Sequence, residues 1–309
     1  MILVAGGTGT LGTQVVRLLT GRELQVRVLT RDPRRVQHHE GARVEVARAD
    51  VQDRQAVGQA VNGVQTVISA IQGFAGAGNP SPRTVDGQGN SMLIQAAREA
   101  GVQHFILMSV HGASPDHPME LFRMKYAAEQ ELRRSGLAWT IIRATAFMET
   151  WSKLLGEPLL NSGKTRVFGR GTNPINFVSA HDVARFVELA VIDPAMQSST
   201  VDVGGPQNLS MRQFAETFKT VAGNAGAINS VPLPIMRLMA VLLRPIKPAV
   251  ARQIQAGVVM DTHDMTFDPS ETSRRYPSAP LTTLAEVVRR DYSSLDAVLA
   301  MSPVPEGER

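Results

Sequence analysis

The chain has 309 residues, a formal net charge of +4 and no cysteine, with 43% hydrophobic and 19% charged residues. That length suits one large α/β domain or a nucleotide domain with a smaller lobe, and no apolar run is long enough for an integral membrane segment. The scattered basic residues and the aromatic content of 5% argue against nucleic-acid binding, and a strand that starts at Met1 argues against a signal peptide, so we expect a soluble, cytoplasmic protein.

The first predicted unit is a buried strand, a glycine-rich turn and a helix. Residues 1–5 form a continuous apolar run, which is typical of a parallel strand covered on both faces. Glycines at three-residue intervals then allow a tight turn, close approach of a pyrophosphate and close helix packing. Because a second strand is predicted at 25–30, this is a βαβ unit that binds a dinucleotide at the helix N-terminus. The predicted cofactor contacts in the turn are Gly6, Thr8, Gly9, Thr10, Leu11 and Gly12.

The end of the second strand indicates which dinucleotide binds. An acidic side chain there bonds the ribose of NAD, whereas an arginine accepts the 2′-phosphate of NADP. Arg31 follows the strand, nineteen residues after Gly12, and Asp32 comes one position later, where it more plausibly starts a turn. We therefore predict NADP(H) with Arg31 on the phosphate. Arg34 and Arg35 either join it or form a solvated basic turn.

The next two strands are predicted at 43–47 and 64–70. Asp50 and Val51 follow the first of them, where they could meet the adenine, although Asp50 or Asp53 could instead cap the helix that runs through Val61. The second ends in small residues expected to pass the ribose and diphosphate, namely Ser69, Ala70 and Ile71. A glycine- and proline-rich stretch at 74–82 predicts a mobile loop over the site. A helix over 83–100 and a strand over 104–109 come next.

Several motifs resemble one known family. The spacing Gly6-x-x-Gly9-x-x-Gly12 is similar to that of extended and atypical short-chain dehydrogenase/reductases, and residues 1–222 follow the same order of elements. The stretches with the strongest resemblance, which point to the NmrA-like branch, are TVDGQGNSMLIQAAREAGVQHFILMS (84–109), FRMKYAAEQELRRSGLAWTIIR (122–143), INFVSAHDVARFVELA (175–190) and VDVGGPQNL (201–209). In the third of them Asp182 is the expected helix N-cap.

The resemblance implies an α/β fold, a doubly wound parallel sheet of the Rossmann type with a smaller C-terminal substrate lobe. Residues 1–143 would form the NADP(H)-binding domain, completed by about 174–205, and residues 144–173 and 206–301 would form the substrate lobe. The tail at 302–309 is expected to be disordered. An apolar stretch at 235–243 is most simply a packing helix of the lobe, with a lid or a membrane-surface contact as the sharper alternatives.

Ordinary short-chain reductases place a tyrosine four residues before a lysine, and the tyrosine passes the proton. Lys125 matches the lysine, but Leu121 stands at the tyrosine position, and Tyr126 is adjacent to Lys125 and so lies on a different helix face. Three alternatives follow. Lys125 acts alone as acid or base, as in isoflavone-reductase-like relatives; it only bonds the ribose while the acceptor takes its proton from water; or the chain binds NADP(H) without turnover, like the regulator that names the NmrA-like family.

Two further residues are candidates for catalysis after the fifth strand. Ser109 matches the start of the motif that carries the family's catalytic serine, and His111 lies about where the extended enzymes place a proton-donating hydroxyl, although it could equally be a solvent-facing loop histidine. The remaining histidines form no pattern typical of a metal site.

The predicted function is NADPH-dependent reduction of a small apolar or aromatic acceptor, such as a quinone, an enone or a carbonyl compound. The alternative is a non-catalytic NADP(H) sensor that acts through a protein partner, and a sugar-nucleotide epimerase ranks third.

Overall fold

The structure is a computed structural model that describes residues 1–39, 43–74, 80–223 and 225–292. Most of the loop predicted as mobile and the whole tail predicted as disordered therefore lie outside the described residues. Over the described ranges, every helix is too short or too polar to reach across a bilayer.

The described residues form three sheets and a series of helices. The strands are β1 (Ile2–Ala5), β2 (Val26–Thr30), β3 (Val44–Arg48), β4 (Thr66–Ser69), β5 (His104–Val110), β6 (Ala138–Ala144), β7 (Ala146–Phe147), β8 (Lys164–Phe168), β9 (Pro174–Val178), β10 (Ser199–Val203), β11 (Asn208–Ser210) and β12 (Ala227–Val231). The α-helices are α1 (Thr10–Gly21), α2 (Arg54–Val61), α3 (Asn90–Glu99), α4 (Glu120–Arg134), α5 (Met148–Trp151), α6 (Glu157–Ser162), α7 (Ala180–Ile192), α8 (Met211–Val221), α9 (Leu233–Leu243), α10 (Pro248–Thr262), α11 (Ser270–Arg275) and α12 (Leu284–Tyr292).

The main sheet is parallel, with strand order β10-β6-β5-β4-β1-β2-β3. Its strands are apolar on both faces because helices cover both. One face carries Val4, Ile106 and Ile142 against α1 and α7, and the other carries Leu3 and Leu107 against α2, α3 and α4. The predicted doubly wound architecture is confirmed. The order reverses next to β1, which is where such sheets bind their ligands.

A smaller region follows β6. There β11, β9 and β7 form one sheet and β12 and β8 another, around a core that includes Phe177, Phe214 and Phe218. The strand β9 pairs with β7 and β11, whereas α7 and β10 return to the main sheet. The division of the chain into a nucleotide-binding domain and a substrate lobe stays our prediction.

Two helix starts differ from the sequence expectation. Ser179, and not Asp182, is the N-cap of α7, since its hydroxyl accepts from the His181 amide. Asp182 was therefore wrongly predicted as the cap. Its carboxylate lies in the first turn of the helix and accepts from the amide and the hydroxyl of Thr282, a hundred residues away in the sequence. The predicted helix over 83–100 begins as a π-helical segment, Arg83–Gly89, before α3 continues it.

Candidate functional site

The glycine turn after β1 has a backbone shape that leaves no room for side chains at two positions. Gly6 has φ of +82°, and a Cβ there would lie 2.7 Å from the Ala70 carbonyl oxygen. At Gly12 a Cβ would lie 2.1 Å from the Gly6 carbonyl oxygen, so α1 packs on the turn through bare backbone. Gly6 and Gly12 are thus where this turn requires glycine.

The N-terminus of α1 is open to a ligand. Gly9 is the N-cap and has no side chain that could accept from the first-turn amides. Within the described residues, the amides of Thr10, Leu11 and Gly12 have no acceptor. Free amides at a helix N-terminus, reached over glycines, fit the diphosphate of a dinucleotide.

The three arginines after β2 have different surroundings. Arg34 is bound to Asp32 at 2.9 Å, and this hydrogen bond lowers the pKa of Asp32. Arg35 donates to the Thr8 carbonyl oxygen at 3.1 Å and so ties its loop to the glycine turn. Arg31 is exposed and has no hydrogen-bond or ion-pair partner in the part of the chain that is described. Arg31 is therefore the arginine here that is free to bind an anion.

Two of the residues predicted beside the adenine and ribose, Val51 and Ile71, lie close to each other. Asp50 accepts from the Gln52 amide at 3.0 Å, and it is Asp53 that caps α2. Val51 and Ile71 are both buried and face the same spot, because a Cβ on Gly89 would lie 2.8 and 3.3 Å from their side chains.

Ser69, at the end of β4, is fully buried and its hydroxyl donates to the Asn90 amide oxygen at 2.6 Å. Asn90 Nδ2 in turn donates to the Asp86 carbonyl oxygen at 2.8 Å. The end of β4 is thereby fixed to the start of α3.

Lys125 lies on α4 and is 4% exposed. Its Nζ donates to the Ile71 carbonyl oxygen at 3.0 Å and forms an ion pair with Asp86 Oδ1 at 3.0 Å. The other oxygen of Asp86 accepts from the Gly73 amide at 2.8 Å. Burial raises the pKa of Asp86, and the ammonium of Lys125 offsets part of that shift. The lysine is therefore held against the segment that follows β4.

Leu121, at the usual position of the tyrosine, has apolar surroundings. Leu121 is half-buried and packs with apolar residues such as Met119 and Phe122. Tyr126 instead lines a surface depression between α3 and α4.

Ser109 belongs to a buried charged network. Its hydroxyl donates to Glu129 at 2.5 Å, and Arg143 holds both oxygens of that carboxylate at 2.9 and 2.6 Å. Glu129 is fully buried and lies one helical turn after Lys125. The serine hydroxyl is thus engaged inside the protein and not presented to an open cleft.

His111 follows β5 and is paired with a carboxylate. Its Nδ1 lies 2.8 Å from Asp202 Oδ1, and its ring packs edge-on against Phe267, 4.9 Å between ring centres. About a third of the imidazole side chain is exposed. A histidine oriented by a carboxylate on one nitrogen presents the other nitrogen for proton transfer.

Five residues of this region were not singled out in the sequence: Asp86, Asn90, Glu129, Arg143 and Asp202. Asp86 and Asn90 fall inside a stretch quoted for the family resemblance, but nothing local shows that they face Lys125 and Ser69. Across the described residues, no cluster of histidine and carboxylate side chains could hold a metal ion.

The NmrA-like family profile matches residues 1–286. The chain belongs to the NmrA-like family. This NmrA-like chain is 30% identical to the NAD(P)H azoreductase of Xenophilus azovorans, over 72% of this chain and 74% of the relative. It is 27% identical to the photosystem II assembly factor Ycf39 of Synechocystis, over 77% of this chain and 72% of that protein.

Solved structures agree on the fold of this NmrA-like chain. An NADPH-dependent quinone oxidoreductase from Escherichia coli, in complex with NADPH, matches with a TM-score of 0.74 at 22% identity. The match covers 94% of this chain and 99% of that one. It confirms the Rossmann-type architecture.

Proposed function

We propose that this chain is an NADPH-dependent reductase of a small apolar or aromatic acceptor, such as a quinone, an enone or another carbonyl compound. The observation that carries the proposal is the position of residues 70–71, which contact the glycine turn on one side and Lys125 on the other. A dinucleotide with its diphosphate on the turn would pass this segment and reach the lysine. Similarity to an NAD(P)H azoreductase supports the same class of reaction.

Each part of the cofactor has candidate partners. The amides of Thr10, Leu11 and Gly12 would bind the diphosphate, and Arg31 the 2′-phosphate. Gly6, Thr8 and Gly9 would shape the turn beneath it. Asp50 and Val51 would flank the adenine, and Ser69, Ala70 and Ile71 would pass the ribose.

When bound, NADPH supplies the hydride. Lys125 has three N–H donors, of which one is bonded to the Ile71 carbonyl oxygen, and its ammonium is ion-paired with Asp86, so another N–H can bond a ribose hydroxyl or an acceptor oxygen. His111 can donate a proton to an acceptor oxygen, and Asp202 orients its imidazole through the contact at Nδ1. Ser109 would act by positioning, through Glu129, the helix that carries Lys125.

The cofactor assignment is tested by Arg31→Gln. Loss of a charge-assisted phosphate contact should weaken NADPH binding about tenfold or more and leave NADH binding unchanged. Arg34→Gln is the matched control, because Arg34 is already paired with Asp32. Equal affinity of the wild type for NADPH and NADH, unchanged by Arg31→Gln, would refute the assignment.

Catalysis is tested by NADPH oxidation with quinones, enones and aldehydes. Lys125→Met should lower kcat/KM about a hundredfold or more, whereas the exposed Lys153→Met should not change it. Turnover that is indifferent to Lys125→Met would remove the lysine from the chemistry.

A second candidate is an NADP(H) sensor without turnover. Leu121 favours it, because the side chain at the usual tyrosine position packs in an apolar cluster and cannot transfer a proton. NADPH binding without oxidation by any acceptor, together with a protein partner retained only when NADPH is present, would favour the sensor over the reductase.

A further inference from the structure

The helix α9 turns its apolar side chains outward. Over its length only Met236 is buried, where its sulfur accepts from the Gly169 amide at 3.1 Å. Exposure is 59% for Leu238, 70% for Val241 and 59% for Leu242. Surface helices ordinarily present a polar face to water, so this exposed arc is a reversed pattern.

The outward arc continues along one side of the helix and past its end. Residues three and four apart in a helix share a face, and the exposed apolar residues follow that spacing before the surface runs on into the next turn. We define this surface, the α9 ridge, by Ile235, Leu238, Met239, Val241, Leu242 and Ile246. The helix α9 that carries it packs on α10.

The charged side chains in the segment that carries the ridge have one sign. No aspartate or glutamate occurs between Glu216 and Asp261, whereas Arg237, Arg244 and Lys247 lie in or beside the ridge. All three are exposed, and none has an ion-pair partner among the residues described. Apolar side chains bordered by unpaired cations complement an interface in which acyl chains lie beneath anionic headgroups.

We propose that the α9 ridge docks on the surface of an anionic lipid bilayer, lying in the interface without crossing it. A second copy of this chain is a poorer occupant, because two ridges face to face would bring their arginine and lysine side chains together. Docking goes beyond the proposed reductase activity and does not depend on it.

The ridge is one helix away from the proposed site. The helix α10, on which α9 packs, contributes Ala256 and Val259 to an apolar cluster with Met119 and Phe122. These two residues are at the start of α4, the helix that carries Lys125. A bilayer at the ridge would thus place the site near membrane-dissolved compounds. This consequence, unlike the docking itself, rests on the proposed function.

The test is flotation of the full-length protein with vesicles of phosphatidylcholine alone and with vesicles containing phosphatidylglycerol. We expect binding to the anionic vesicles that weakens as salt rises. Leu238→Gln with Leu242→Gln, and separately Arg244→Gln with Lys247→Gln, should each weaken partitioning about tenfold or more. Matched controls are Ile192→Gln, an exposed apolar residue of α7, and Arg98→Gln at the end of α3; neither should change binding.

Thermal unfolding and NADPH binding of each variant show that it is folded. Three results would overturn the proposal. These are no binding to anionic vesicles, vesicle binding that the leucine substitutions leave unchanged, and self-association in solution that those substitutions abolish.

Discussion

The glycine turn and the surroundings of Lys125 meet at residues 70–71, but they are built in different ways. The turn is made of backbone atoms in contact, with Gly12 against the Gly6 carbonyl oxygen. The lysine is held by buried side chains from distant elements, above all Asp86. We expect the turn to be destabilised when a side-chain atom is added, and the surroundings of Lys125 to be destabilised when a charged group is removed.

The largest expected effect comes from the half made of side chains. Asp86→Ala leaves the buried ammonium of Lys125 without its carboxylate and should lower the free energy of unfolding by about 3–5 kcal/mol, measured by urea denaturation. The exposed Asp116→Ala should change it by less than about 0.5 kcal/mol.

A double substitution sharpens this result. Asp86→Ala combined with Lys125→Met removes both charges and should recover much of the lost stability. If the two single effects simply add, the ion pair is not what holds this half of the site.

An intermediate effect is expected in the half made of backbone. Gly12→Ala forces a Cβ toward the Gly6 carbonyl and should cost about 1–3 kcal/mol of stability, with loss of NADPH binding. Gly21→Ala is the matched control in the same helix, because a Cβ there has no atom within 4 Å. It should be neutral or stabilising by less than about 1 kcal/mol. Similar losses in both variants would contradict a steric role for Gly12.

The smallest expected effect is a pH dependence of the stability, and it arises in the scaffold and not in the site. His104 begins β5 at the opposite edge of the sheet, is buried, and lies 2.9 Å from the Thr140 hydroxyl. That hydroxyl donates to the Met196 carbonyl oxygen, so His104 Nε2 carries the proton of the shared bond. Burial lowers the pKa of His104.

The unfolded chain therefore binds a proton on His104 more readily than the folded one. Stability should fall as pH drops below the ordinary imidazole value near 6.5, by about 1.4 kcal/mol per pH unit at most. His104→Gln should flatten this dependence between pH 7 and pH 5 relative to wild type, and the exposed His263→Gln should not. An unchanged slope in His104→Gln would assign the pH dependence elsewhere.

The strands of the main sheet could be predicted within a few residues because buried parallel strands are continuous apolar runs. The predicted strand at 104–109 and β5, His104–Val110, illustrate this. Asp182 shows the opposite case. Its position near a helix start suggested a local cap, but its partner is Thr282, and a contact across a hundred residues leaves no trace in local pattern.

The sequence by itself determined the buried strands and the glycine turn, because apolar periodicity and glycine spacing express short-range sterics of the backbone, and its motifs identified the family and with it the doubly wound sheet. Only the tertiary structure decided that Asp86 holds Lys125, that Glu129 engages Ser109 and that Asp202 pairs with His111. The tertiary structure also decided that the apolar residues of α9 face outward, because the sequence of residues 235–243 is compatible with either direction. Such pairings and exposures depend on which helix face packs against which strand, and that is settled only when the whole chain has folded.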